Sequence, residues 1–154
     1  MAVVFGMFLL VGPWAMGQGS VGEPDADGFI ALQPEAVSPE IRDELTRVYI
    51  TGHPDEPGIY VYRNRFAPGG SSRPHFHSQD RYITVIEGTW WVALGPDAAV
   101  YDPEKMVPMK AGSFVKHPAG GIHYDGAKGE AVIVEITGMG PVTSTQLNSE
   151  AGPE

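Results

Sequence analysis

The stretch GGSSRPHFHSQDRYITVIEG, Gly69 to Gly88, decides how the rest of this chain is read. Side chains alternate between the two faces of a strand, so His75 and His77 point the same way. A partner stretch, GSFVKHPAGGIH from Gly112 to His123, ends in a third histidine. Its run Pro118-Ala119-Gly120-Gly121 is turn-forming and can end one strand and aim the next at the same centre. Three neutral imidazole nitrogens converging inside a small barrel make a metal site.

The flanks read as more strands. Upstream, Ile59 to Phe66 alternates, with Tyr60, Tyr62, Asn64 and Phe66 on one side and Ile59, Val61, Arg63 and Arg65 on the other, a strand with one wet face. Before it, Gly52 to Gly58 is a clear turn and Arg47 to Thr51 is rich in β-formers. Ser38-Pro39-Glu40-Ile41 predicts a short helical turn with Pro at its first position. Gly28 to Leu32 predicts an entry strand or strap, and Ser20 to Gly28 a polar linker with nothing to bury. Downstream, Tyr82 to Ile86 and Thr89 to Leu94 are strands meeting at Glu87-Gly88, read as a hairpin corner. After a loop from Gly95 to Pro103, strands are expected at Lys105–Met109, over Gly112–His117 leading into Pro118, at Ile122–Tyr124 and at Ala131–Thr137. About nine short strands with Gly/Pro corners indicate a β-sandwich or jelly-roll barrel.

Composition agrees. The 154 residues are the length of one domain, and 20 glycines with 14 prolines fit an all-β chain of tight turns. The absence of cysteine excludes disulfides, thiolate catalysis and Cys-ligated zinc, so any metal is held by His, Asp or Glu. A formal charge of −9 argues against nucleic acid or anionic membrane surfaces as partners. Residues 2–16, AVVFGMFLLVGPWAM, are apolar and uncharged but shorter than the ~20 residues of a spanning helix. Ala15-Met16-Gly17 carries the small-x-small pattern of a signal-peptidase site. The sequence predicts a signal peptide over 1–19 and one domain over 20–154, periplasmic or secreted, with no stable membrane insertion after cleavage. An uncleaved anchor or a misplaced start instead gives a membrane-anchored or cytoplasmic protein.

The spacing Gly69-x5-His75-x-His77-x3-Arg81-x6-Gly88 resembles the first cupin motif, and Gly112-x5-Pro118-x-Gly120-x2-His123-x3-Ala127 resembles the second. The resemblance covers about Ile59 to Thr137. It implies a cupin double-stranded β-helix, a jelly-roll barrel, in which His75, His77 and His123 ligate one divalent ion near the wide end. Fe, Zn, Mn, Ni and Cu are not distinguished. Two positions depart from the pattern: the motif glutamate falls on Arg81 and the closing asparagine on Ala127. Guanidinium stays protonated and has no lone pair to give a metal.

Strand alternation places Gln79 and Arg81 on the histidine face, Gln79 as a possible fourth ligand or water-binding group and Arg81 as an inward cation. A divalent ion beside a guanidinium calls for an anion such as a carboxylate, enolate or 1,3-dicarbonyl, held by Arg81. The structural alternative is an internal salt bridge from Arg81 to Glu87, Glu130 or Glu135. His117 lines the mouth and serves as general base, or is a surface histidine at a strand end. Tyr124, next to a ligand, faces away.

The leading expectation is an exported cupin metalloenzyme acting on a small oxygenated anion. The resemblance implies a dioxygenase if the ion is iron, and lyase, isomerase or hydrolytic chemistry with Zn, Mn or Ni. The alternatives are a non-catalytic small-molecule or metal-binding and sensing cupin, and a metal-free catalyst using the same histidines. Pairing of Phe29–Thr51 segments gives a possible homodimer.

Overall fold

A computed structural model describes residues 21–38 and 45–147. The signal peptide expected at 1–19 and most of the helical turn expected from Ser38 lie outside the described residues. Ten strands are present among the described residues: β1 (Leu45–Thr51), β2 (Gly58–Phe66), β3 (His75–His77), β4 (Arg81–Glu87), β5 (Thr89–Leu94), β6 (Val107–Lys110), β7 (Phe114–His117), β8 (His123–Gly126), β9 (Val132–Gly140) and β10 (Ser144–Gln146). They form two five-stranded sheets, ordered β1-β2-β9-β4-β7 and β10-β3-β8-β5-β6, with every pairing antiparallel. Proline-led 3-10 turns at Pro34–Ala36, Pro96–Ala99 and Pro103–Lys105 are the only helical elements among the described residues. The all-β jelly-roll reading holds.

The sequence alternation maps directly onto burial. In β2, Tyr60, Tyr62, Asn64 and Phe66 are buried while Arg63 sits on the outer face, where its Nε donates to Glu135 at 2.9 Å. Arg63 and Glu135 are register partners, an opposite-charge cross-strand pair of the kind that contributes about 0.2–1 kcal/mol. β9 lies between β2 and β4 and opens with the buried apolar run Val132-Ile133-Val134. Its Val132, Val134 and Ile136 join Ile83, Val85 and Val92 in the main core. Tyr124 does face away from its histidine neighbour, into a second cluster with Ala93, Ala98 and Met106, and its hydroxyl donates to the Asp102 carbonyl at 2.7 Å.

Three expectations are corrected, and one strand is new. Glu87-Gly88 is not a hairpin: β4 and β5 belong to different sheets, and the chain crosses between them there. Gly88 has φ +76° and would set a side chain against the Ala131 carbonyl, so a residue without Cβ makes this corner. The stretch before Gly28 is not a free linker, since the amides of Val21 and Gly22 donate to the carbonyls of Tyr49 and Ile50 at 2.8 Å and extend the β1 edge. Gly28 to Leu32 forms no strand; Phe29 is exposed, and Asp25 folds the segment into a turn by accepting from the Phe29 amide. Finally, β10 was not expected: a short, exposed, polar segment that pairs with the histidine strand.

Candidate metal centre

His75 and His77 project from β3, and His123 opens β8, where it is the register partner of His75. All three are buried, and one nitrogen from each lies within 4.8 Å of the others. Backbone carbonyls select the tautomer: His75 Nδ1–H donates to Arg73 at 2.7 Å and His123 Nδ1–H to Gly121 at 2.9 Å, which leaves each Nε2 lone pair free. The two motifs are tied together as well. The Gly120 amide donates to the His77 carbonyl at 2.8 Å, and the Ala119 amide to Asp80 Oδ1 at 2.8 Å. Asp80 also pairs with Lys116 at 2.6 Å, and these two contacts, Lys116 first, hold its carboxyl below the usual range. The turn that delivers His123 is thus fastened to the strand that carries His75 and His77.

His75 and His77 line a cavity of about 360 Å3 bounded by both sheets, and His123 packs against His117, which lines it too. His77 is driven to the neutral form, its pKa pushed down to about 2 by burial first and then by the Arg81 guanidinium and the other imidazoles. Burial, only partly offset by Asp125, lowers His123 to about 4. Neutral imidazole is the ligating form. The donor set fits a divalent ion such as zinc, iron, manganese, nickel or copper, with no cysteine among the three neutral imidazoles: the Nε2 lone pairs of His75 and His123 are free, and that of His77 joins them once Arg81 Nη1, which donates to it here, is displaced.

Arg81 lies where the first motif would bring a fourth ligand. Its Nη1 donates to His77 Nε2 and its Nη2 to the Tyr62 hydroxyl, while Nε–H has no partner. Among the described residues no carboxylate pairs with it: Glu135 is taken by Arg63, and Glu87 and Glu130 are exposed. The salt-bridge alternative is absent there. His117, the register partner of Arg81, is not a surface strand-end residue; it is 3% exposed, with its ring centroid 3.7 Å from that of His123. Burial first, then His123 and Arg81, lower its pKa to about 2, which makes it a weak base in this state. Gln79 is exposed in the bend between β3 and β4 and does not line the cavity. Alternation does not carry through to it because the chain leaves one sheet after His77 and enters the other at Arg81.

Alternation marks Tyr60 only as one side of the strand Ile59 to Phe66, and Gly138 lies just past the strand expected at Ala131–Thr137. Both belong to the site. Gly138 pairs with Tyr60 on one side and Arg81 on the other, and a Cβ there would collide with the Tyr60 phenol. A lone glycine inside the β-branched run of β9 was the available signal. Arg47 also reaches the cavity, with Nε donating to Asn64 at 2.9 Å and its guanidinium 4.3 Å from the Tyr62 ring centre.

The cupin family model matches residues 33–149. The chain belongs to the cupin family. Solved cupin-fold structures resemble it at low identity. The polyketide cyclase RemF from Streptomyces resistomycificus is 21% identical with a TM-score of 0.60, covering 79% of this chain and 89% of its own. A double-stranded β-helix protein from Klebsiella pneumoniae is 19% identical with a TM-score of 0.59, covering 77% and 97%. A cupin described as a sugar phosphate isomerase, from Silicibacter pomeroyi, is 19% identical with a TM-score of 0.52, covering 67% and 65%. No curated protein sequence matches the chain. The similar folds thus include enzymes of more than one kind, and this cupin carries a three-histidine cluster compatible with a divalent metal.

Proposed function

We propose that this cupin is a metal-dependent enzyme acting on a small oxygenated anion, exported if its apolar first 19 residues act as a leader. One observation carries the reading: three buried imidazoles cluster beside a cavity that is also lined by an arginine with no carboxylate partner among the described residues. A divalent ion held by His75, His77 and His123 supplies Lewis acidity. Arg81 binds and orients the anion with its guanidinium fork. The surrounding Tyr62, Phe66, Ile83 and Val134 exclude water and strengthen each charge interaction. His117 stands close enough to accept a proton, and a bound anion raises its basicity by opposing the effect of burial.

Elemental analysis of protein purified without added metal tests the reading. About one equivalent of a divalent metal is expected, lost in the His75→Ala and His123→Ala variants. Full metal retention in either variant overturns the site. A second reading, a ligand receptor without turnover, is favoured by the weak basicity of His117. Anion binding with no turnover of carboxylate, enolate or dicarbonyl substrates by the metal-loaded protein would select it.

A further inference from the structure

Four buried polar atoms lack any hydrogen-bond partner among the described residues: the Tyr60 hydroxyl, Arg81 Nε, Trp90 Nε1 and His117 Nε2. All four residues line the one cavity beside the histidine triad. Tyr60, Trp90 and His117 are 0%, 1% and 3% exposed, so bulk solvent does not satisfy them. An unpaired buried donor is costly, and finding several in one place marks a site made for a guest.

Their placement follows from strand register. His117, Arg81, Gly138 and Tyr60 are consecutive cross-strand partners on β7, β4, β9 and β2, a single row across the first sheet. Gly138 leaves space in the middle of that row, and the Tyr60 phenol fills it, next to Arg81. Trp90 approaches from the second sheet, its ring centroid 5.8 Å from that of His117. The row faces the histidine triad, which projects from the opposite sheet. Phenol, guanidinium and indole are donors here, and of the two carboxylates that also line the cavity Asp125 accepts from Ser72 at 2.7 Å and Asp55 lies 3.6 Å from His53. The complementary guest is acceptor-rich and negative. The Tyr60 and Tyr62 rings stack within 16° of parallel with centroids 5.7 Å apart, and both line the cavity, an aromatic wall suited to a planar body.

We propose that this cavity holds an oxyanion subsite that works without the metal, in which Tyr60 Oη–H, Arg81 Nε–H and Trp90 Nε1–H receive the carboxylate of a small planar organic acid. This deepens the preceding reading by naming the substrate class, and rests on it only for the role of the metal. Trp90 and Tyr60 fix where the carboxylate sits, while Arg81 supplies the charge.

The test is calorimetric titration of benzoate into the full chain after an EDTA wash. Saturable one-to-one binding is expected, weakened about tenfold or more by Tyr60→Phe and absent or at least tenfold weaker for benzyl alcohol. Because Tyr60→Phe removes only an unpaired hydroxyl, its melting temperature should not fall, which separates lost recognition from lost folding. Benzoate binding only after metal is restored, equal affinity in Tyr60→Phe, or equal affinity for benzyl alcohol each overturns the subsite. A stripped protein that binds benzoate as described but never retains metal leaves the subsite standing and refutes the metal reading. Metal retention without benzoate binding by the stripped protein does the reverse.

Discussion

The two sheets of this barrel prepare the same cavity in opposite ways. On the histidine sheet, His75 and His123 donate to backbone carbonyls, and the Tyr124 hydroxyl bonds Asp102. On the facing sheet, the row His117, Arg81, Gly138, Tyr60 keeps three polar atoms unpartnered. One side fixes lone pairs for a cation by tying the histidine rings to backbone carbonyls, with Trp90 Nε1 its one unpartnered donor among the described residues. The other withholds satisfaction so that a guest can supply it. A metal site needs rigid donors of known direction, whereas a ligand site needs unmet demand.

Acid should erase the comparison, and with the largest effect. An unfolded histidine takes a proton near pH 6.5, but His77 and His117 resist to about 2 and His123 to about 4. Below 6.5 the unfolded chain binds more protons, so stability is complete above that pH and falls by up to about 1.4 kcal/mol per unit for each group as pH drops. Metal-free protein followed by circular dichroism should unfold between about pH 3 and 5. Stability unchanged from pH 7 to 4 contradicts the burial of these imidazoles in neutral form.

Arg81→Glu sharpens the comparison by moving a ligand type onto the donor row. Metal affinity should rise and benzoate affinity fall, each by about tenfold or more, as expected when a charge of opposite sign is placed beside an ion. Unchanged benzoate affinity removes Arg81 from anion recognition. Gly138→Ala has the smallest effect. Its methyl meets the Tyr60 phenol, and overpacking of that kind costs about 1–3 kcal/mol. Chemical denaturation checks this, and the double variant Tyr60→Ala/Gly138→Ala should recover the steric part.

The same contrast explains what was legible in the sequence. His75 and His77 are two residues apart and His123 follows a turn of Pro and Gly, so local periodicity exposed the triad. The strand Ile59–Phe66 was legible for the same reason, since one face is wet. The donor row was not, because residues 60, 81, 117 and 138 become neighbours only through register, and no local pattern encodes which strands pair. Gln79 was misplaced by the same limit: alternation is valid within a strand and says nothing once the chain changes sheets. The exposed β10 has no buried face and hence no pattern to read. Alternation shows which way Tyr60 points, but its hydroxyl acquires meaning only when the surrounding partners are known.

β9 stands in the middle of the first sheet yet is the last long strand of the chain. During synthesis β2 and β4 leave the ribosome well before it, each with one edge awaiting the same missing strand. Until residues 132–140 arrive, Tyr60 and Arg81 have nothing between them to set their spacing, and both edges are open to any passing strand. The recognition row is therefore assembled by a single late insertion, and a chain interrupted before that point possesses all three histidines but not the surface that faces them.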